Sequence, residues 1–293
     1  MNLNNNKFKP GLYCVATPIG NMSDISFRAI KILQESDFIL CEDTRITKKI
    51  LHKFEINKKL ISNHKFNEKK NLEKVIEILK SKKKVSLVSD AGTPVVSDPG
   101  RILVKECVKN GIDIFPVPGA SAVSAAISIS GFSDNFYFCG FLPEKKSQTK
   151  KLFKNLSSLE CSIVFFISPN KLDKRIDDLK EFFLNRDIVI CREISKYHEE
   201  YIRTSVKELS NVNFSRKGEI TDIISEPKKE KLSFNQLEES DMKKIDQLIK
   251  KMSIKDIVKK ISESKKISKK LIYNYCLKIK KWKLKILLYY SHL

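Results

Sequence analysis

Two carboxylates, Asp90 and Asp98, stand in residues 89–100, SDAGTPVVSDPG, where most neighbours are small or rigid. An acidic side chain in such a loop can bind a hydroxyl or an ammonium, or accept a proton. Gly92 leaves the backbone free to take up conformations closed to other residues, while Pro94 and Pro99 stiffen it. Asp98 precedes a helical pattern at 102–108 and is expected to cap that helix. Four other short stretches carry groups of the same kind: TPIGN at 17–21, EDTR at 42–45, NHKFNE at 63–68 and PVPGAS at 116–121. Arg45 and Lys65 could hold a phosphate. His64 is open as a base, a sugar contact or an ordinary loop residue, and Asp43 as a base or as a structural partner of Arg45. Each stretch alone is also what a plain turn looks like.

The elements that must position these groups are short apolar runs alternating with helical patterns. Residues 12–17, 38–41, 60–62, 85–88 and 112–117 read as strands, and each runs directly into one of the five loops. Ser23 or Asp24 is placed to cap a helix running to about residue 35, and further helices follow the second, third, fourth and fifth strands. Strand–helix alternation of this kind implies a parallel sheet with right-handed crossovers, whose loops at the carboxyl ends of the strands share one edge. The pattern thus gathers the acidic, basic and glycine-bearing loops on a single rim. After Gly131 the pattern restarts, with strands expected at 136–141, 163–167, 188–191 and 219–224 and a helix at 171–183. The fold class is therefore α/β: a parallel sheet over 1–132, a mixed sheet over 133–228, and a basic helical region over 229–293, with 226–240 reading as a linker.

At 293 residues the chain is long enough for two domains or more, and its net charge of +21 points to an anionic partner, most plausibly nucleic acid. Residues 241–293 alone hold 16 Lys against 4 acidic residues, so +12 of that charge lies there. Apolar stripes at 254–261 and 267–275, joined at 262–266, predict two short Lys-rich helices resembling a helix-turn-helix, with Lys269 and Lys270 as candidate RNA contacts. The stretch 282–293 is apolar. The seven cysteines are scattered, several in strand-like runs, with no CxxC pair, which predicts buried thiols in a reducing compartment. The start of the chain has no apolar signal core and no run approaches a membrane span, so a cytoplasmic, non-membrane protein is expected. There is no GxxxxGK[ST], GxGxxG after the first strand, HExxH or GxSxG, and four histidines leave little scope for a metal site. What remains fits a transferase that binds a compact nucleoside cofactor beside a nucleic-acid substrate.

TPIGNMSDISFRAIKIL, EDTR, LVSDAGTPVVSDPG and PVPGASA, in this order, resemble the ribosomal-RNA branch of the tetrapyrrole (corrin/porphyrin) methylase family, the class III S-adenosylmethionine methyltransferases. GFLP at 140–143, Arg192-Glu193 and Lys217-Gly218-Glu219 extend the resemblance to about residues 11–225. Corrin and porphyrin methylases usually carry Gly-Asp-Pro where this chain has SDAGTP. The resemblance implies S-adenosylmethionine as donor, bound in a cleft between two α/β domains, 2′-O-methylation of a cytidine in the decoding region of 16S rRNA on the small ribosomal subunit, and a homodimer. It implies cofactor contacts at Pro18, at Asp90, Ala91, Gly92, Thr93 and Pro94, and at Gly119, Ser121 and Ala122. Base candidates are Asp43, Glu42 and Glu193, and RNA contacts are Arg45, His64 and Lys65. A tetrapyrrole methylase, and an RNA-binding assembly factor on the same fold, are the alternatives. One segment departs from the pattern: at 167–171, ISPNK, the Glu, His and Arg usual in relatives are replaced by Ile167, Asn170 and Lys171.

Overall fold

A computed structural model describes residues 8–228, 237–249, 251–264 and 267–290, with side chains described except at 264 and 281–290. Residues 1–227 form one compact unit and residues 228–293 a second.

The first sheet holds β1 (Gly11–Val15), β2 (Phe38–Cys41), β3 (Lys59–Ser62), β4 (Lys84–Leu87) and β5 (Ile114–Val117) in the order β3-β2-β4-β1-β5, all parallel. Helices α1 (Phe27–Glu35), α2 (Thr44–Lys53), α3 (Glu68–Lys80) and α4 (Arg101–Lys109) connect the strands, and α5 (Ala122–Ser130) follows the last. Alternation along the strands explains the two-faced core. Tyr13, Val15, Ile39 and Cys41 pack with α1 and α2, while Leu12, Leu40, Val85 and Leu87 pack with α3 and α4. The α1 helix starts later than the sequence suggests, because Ser26 rather than Ser23 or Asp24 is its cap, accepting from the Ala29 amide at 3.1 Å. Residues 22–24 form a separate 3-10 turn capped by Asn21.

The second sheet is mixed, as expected: β6 (Phe136–Phe141) and β7 (Ser162–Ile167) are parallel, separated by α6 (Lys146–Ser157). The expected helix at 171–183 is two, α7 (Pro169–Asp173) and α8 (Ile176–Phe183), broken at Lys174 and Arg175. β8 (Asp187–Arg192), β9 (Glu200–Ser205) and β10 (Ile220–Ile224) complete the order β6-β7-β10-β8-β9. One face buries Phe153, Phe165, Phe183 and Ile190 under α6 and α8, and the other packs Val164, Val189 and Ile223 against α5. Helix α5 thus belongs to the first sheet by connection and to the second by contact, which locks the two together.

Among its described residues the second unit has three helices where two were expected: α9 (Glu239–Leu248), α10 (Ile254–Ser264) and α11 (Lys269–Tyr290), the last of 22 residues rather than short. Ile245, Ile257, Ile261, Ile272 and Cys276 form its core. Most of the expected linker, part of the 262–266 connection and the side chains of the apolar ending lie outside the described residues. Among the described residues no helix is long and apolar enough to cross a membrane. The cysteines are free, and burial pushes the Cys14 and Cys107 thiols up to about 11 and those of Cys139 and Cys191 up to about 12.

Candidate active site

The carboxyl ends of β1, β4 and β5 face the ends of β7 and β10 across a cavity of about 330 Å³, within the size range of small-molecule and cofactor sites. Asp90, Ala91, Gly92, Thr93, Val96 and Asp98 form one wall, and Ser121, Ala122 and Val123 the floor. Phe141, Phe166, Ile167, Ser168 and residues 218–221 come from the second sheet. Six of the nine expected cofactor residues therefore line one space. Pro18 and Pro94 are buried behind it. Gly119 serves packing: a Cβ there would come within 2.9 Å of the Ala16 Cβ.

The wall is built by backbone exchange. Thr17 and Gly92 bond each other's amides and carbonyls at 2.9 and 3.0 Å. Gly92 takes φ +78°, a left-handed conformation that suits glycine and brings its bare backbone to the cavity. Thr93 Oγ1 donates to the Ala120 carbonyl at 3.3 Å, and Ser121 caps α5 by accepting from the Ser124 amide. Asp90 Oδ1 accepts from the Asp43 amide at 3.0 Å and so ties the EDTR loop to the wall. Burial raises the Asp90 carboxyl against that bond.

Downstream the loop is wound tightly. Val95, Ser97 and Gly100 all take positive φ, at 73°, 70° and 120°. A β-branched residue there is strained by about 1–3 kcal/mol. The winding turns Val95 into the core beside Leu87 and leaves Val96 and Asp98 lining the cavity. Asp98 is not a helix cap. The α4 N-cap is Gly100 and has no side-chain bond. The Ile102 and Leu103 amides instead donate to Glu68 Oε1 at 2.9 and 3.1 Å, a buried carboxylate supplied by the start of α3. Freed from capping, Asp98 is pushed up to about 6 by burial and by the nearby Glu42 and Asp90 carboxylates, against a hydrogen bond from Ser89.

The three base candidates separate by what each already holds. Asp43 caps α2 through the Arg45 amide at 2.8 Å and receives the Arg45 guanidinium at 2.6 Å, which hold its carboxyl down to about 2. Its partner Arg45 is otherwise exposed. Glu193 Oε1 accepts from the Glu219 amide at 2.8 Å and from Lys196 Nζ at 3.0 Å. Burial raises that carboxyl, but these two donors and the Lys196 charge outweigh it and leave it below the usual range. Of the three, Glu42 alone has no such anchor among the described residues. Burial, then the Asp90 charge, raises it, with His64 opposing.

The Arg192-Glu193 and Lys217-Gly218-Glu219 motifs form one device. Arg192 holds the Lys217 carbonyl at 3.2 Å, and Glu193 fills the place of a side chain at Gly218, whose Cβ would lie 2.5 Å from the Glu193 Cδ. Gly218 and Glu219 are cavity wall, so the pair shapes the cleft from behind. His64 braces its own loop: its amide donates to Asn67 Oδ1 at 2.7 Å, and its Nδ1 accepts from the Phe66 amide at 3.3 Å. Lys65 is exposed beside it. In the divergent segment, Ile167 and Ser168 line the cavity, while Lys171 pairs at the surface with Glu144 at 3.1 Å. Lys269 and Lys270 belong to the second unit, exposed in the first turn of α11. Asp98, Glu68 and the second-sheet lining of Phe141, Phe166 and Thr221 are the site residues that sequence reasoning missed or misassigned.

Residues 11–210 match the Tetrapyrrole (Corrin/Porphyrin) Methylases. Ribosomal RNA small subunit methyltransferase I of Thermotoga maritima is 45% identical over 218 residues, which cover 73% of this chain and 97% of that protein. The Rickettsia prowazekii protein of the same name is 41% identical over 220 residues, 74% of this chain and 79% of that protein. The Bacillus subtilis one is 42% identical over 199 residues, 68% of each. Among solved structures, diphthine synthase matches with a TM-score of 0.59 at 18% identity, over 73% of this chain and 89% of its own. Uroporphyrin-III C-methyl transferase from Thermus thermophilus, complexed with S-adenyl homocysteine, matches at 0.54 and 14%, over 73% and 97%. At those identities the structures establish the shared fold. By the extent of the match and the identity to its relatives, the chain belongs to the tetrapyrrole (corrin/porphyrin) methylase family, alongside the ribosomal RNA small subunit methyltransferase I proteins.

Proposed function

We propose that this chain methylates the 2′-hydroxyl of a cytidine in the decoding region of 16S rRNA, using S-adenosylmethionine, on the small ribosomal subunit. The observation that carries this reading is that the family segment, residues 11–210, contains every first-sheet loop of the cleft, in a chain 45% identical over 218 residues to an rRNA small subunit methyltransferase. The cavity suits the cofactor. Its volume is right for a nucleoside-sized ligand, Gly92 offers bare backbone, and the start of α5 offers small residues and amides. Asp90 to Thr93 and Ser121 to Val123 would hold the cofactor, which supplies an electrophilic methyl on a sulfonium.

The chain's own task is to orient the ribose hydroxyl and take its proton. Positioning does much of this, and a base adds roughly 10²–10⁴-fold. Asp98 is the carboxylate best placed. It lines the cavity, carries no capping or ion-pair duty among the described residues, and at about 6 is ionised at neutral pH while remaining a useful base. Glu42 stands behind it as the second candidate. The expected homodimer and cytoplasmic location belong to the same reading. Phe136 and Tyr137, exposed on the outer strand β6, are the face we assign to the partner copy, testable by sedimentation.

The test is to incubate the protein with methyl-labelled S-adenosylmethionine and small ribosomal subunits, free 16S rRNA or a porphyrinogen. Label is expected in an alkali-resistant ribose-methylated cytidine. Transfer to the porphyrinogen only, or to nothing, overturns the reading. Asp98→Asn is expected to lower turnover by roughly 10²–10⁴-fold and to abolish the fall in rate below about pH 6, with cofactor binding retained.

A further inference from the structure

Three aromatic side chains break the usual rule for this residue type. Phe27, Phe66 and Tyr197 are 93%, 91% and 96% exposed, whereas the next large apolar side chains among the described residues are Val108 at 67% and Phe141 at 66%. A lone exposed aromatic needs no explanation, but these three share an address. Phe27 begins α1, just past the loop that leaves β1, and Phe66 lies in the loop that leaves β3. Tyr197 lies between β8 and β9, in the loop that crosses to the first sheet. There Ser195 bonds Asp24, and a Cβ on Gly20 would come within 2.5 Å of Lys196. Glu193, at the start of that loop, holds the Glu219 amide of the cavity wall. All three rings therefore lie along the carboxyl edge of the first sheet, the edge that also carries the cavity, on segments braced by named bonds. His64 holds the Phe66 amide, and His198 packs edge-on to Tyr197 with ring centroids 4.9 Å apart.

We propose that Phe27, Phe66 and Tyr197 are stacking platforms for unpaired bases of an RNA substrate along the sheet edge that carries the cleft. The inference rests on the RNA reading above and deepens it. A nucleotide whose ribose enters a cavity at a strand edge must leave its helical stack, and its neighbours lose stacking with it. Exposed aromatic faces restore that contact, and do so for any base. The surrounding charge favours nucleic acid over a protein partner. Lys65, Lys69 and Lys70 flank Phe66 on the exposed surface, and Arg28 follows Phe27, whereas the cores of protein interfaces are depleted in Lys. The rings also sit on three separate segments, unlike the contiguous aromatic strip of β6.

The experiment uses the full chain and a mixed-sequence single-stranded oligoribonucleotide, with the same sequence as a blunt duplex for comparison. Phe66→Ala and Tyr197→Ala are each expected to weaken single-strand binding by about 5- to 150-fold, the range for loss of one stacked base. The slope of affinity against salt should stay unchanged, because no phosphate contact is lost, whereas Lys65→Ala should reduce it. Phe66→Trp should keep the affinity and Phe66→Leu should not. The indole of Phe66→Trp should be quenched by the single strand beyond any change in the protein carrying only Trp282, the one natural tryptophan. Unchanged affinity in both alanine variants overturns the proposal. So does equal rescue by Leu, or a loss of binding that tracks a change in oligomeric state, which would make the rings a protein interface. Binding is read without methyl transfer, so a wild-type protein that labels no RNA would sink the catalytic reading while the platforms are judged on their own data.

Discussion

Asp222 is the most costly side chain in the second sheet, and removing it should stabilise the protein. It lies in β10 opposite Phe165 on one neighbour and Ile190 on the other. It is 0% exposed, and neither carboxyl oxygen has a hydrogen-bond partner among the described residues. Burial raises it well above the ordinary carboxylate range, so it is folded in as a neutral acid. Leaving such a group unsatisfied costs about 1–3 kcal/mol. Asp222→Val replaces the carboxyl by two methyls carried on the β-carbon, as suits a strand, and burying that apolar surface adds about 1–2 kcal/mol. A gain of about 2–5 kcal/mol follows, or roughly 4–20 °C in Tm for a unit of this size. The pH dependence gives the sharper reading. Above about pH 3.9 the unfolded chain ionises this carboxyl while the folded chain keeps it protonated, so the unfolded state binds fewer protons and stability falls as pH rises, by up to about 1.4 kcal/mol per unit. That slope ends once the pH passes the raised folded value. Denaturant unfolding at pH 4, 5, 6 and 7 should show the advantage of Asp222→Val widening with pH. Asp222→Asn, unable to ionise, should lose the slope yet keep the unsatisfied polar atoms. A less stable Asp222→Val, or a wild-type slope identical to that of Asp222→Asn, would refute the reasoning.

Other expectations follow from the same accounting. Asp43→Asn should keep turnover within about tenfold of wild type, well short of the loss of a general base. Its destabilisation should be present near neutral pH and vanish as the pH falls toward about 2, where the wild-type Asp43 carboxylate is itself protonated. Gly218→Ala should cost at least about 1–3 kcal/mol from its left-handed backbone alone, φ being +96°. The added collision with Glu193 should be relieved in the Glu193→Ala background, so a double-mutant cycle should show coupling of about 0.5–3 kcal/mol. Glu68→Ala removes both acceptor contacts for the first turn of α4 and should lower stability by about 1.5–3 kcal/mol. It should also slow transfer, since Asp98 hangs from the same turn, and Glu68→Gln should recover part of both losses.

What the chain discloses on reading, and what it withholds, divides along a physical line. The parallel strands are buried on both faces and so appear as unbroken apolar runs, FILC at β2 being an example. Their loops could then be placed on one rim by topology, and Asp90 to Thr93 with Ser121 and Ala122 do meet in one cavity. Strand β9, EYIRTS, escaped because it is an edge strand with charged residues and only partial burial. The carboxylates were harder, since an Asp four residues before a helical pattern has the ordinary look of a cap. The α4 amides are instead claimed by Glu68, 34 residues away from Ile102, and no local pattern reveals a partner brought in by the fold. The same applies to Arg192-Glu193 and Lys217-Gly218-Glu219, two short motifs whose connection is a missing Cβ. Carboxylates look alike in a sequence, and the fold sorts them by what has already claimed them. Arg45 claims Asp43, the Glu219 amide claims Glu193, and the α4 amides claim Glu68. Of those facing the cavity, Asp90 is spent on the Asp43 amide. The strain stored at Val95 and Ser97 then has a use, because that winding is what turns Asp98 away from the helix it precedes and into the cavity, where the proposed reaction calls for a base.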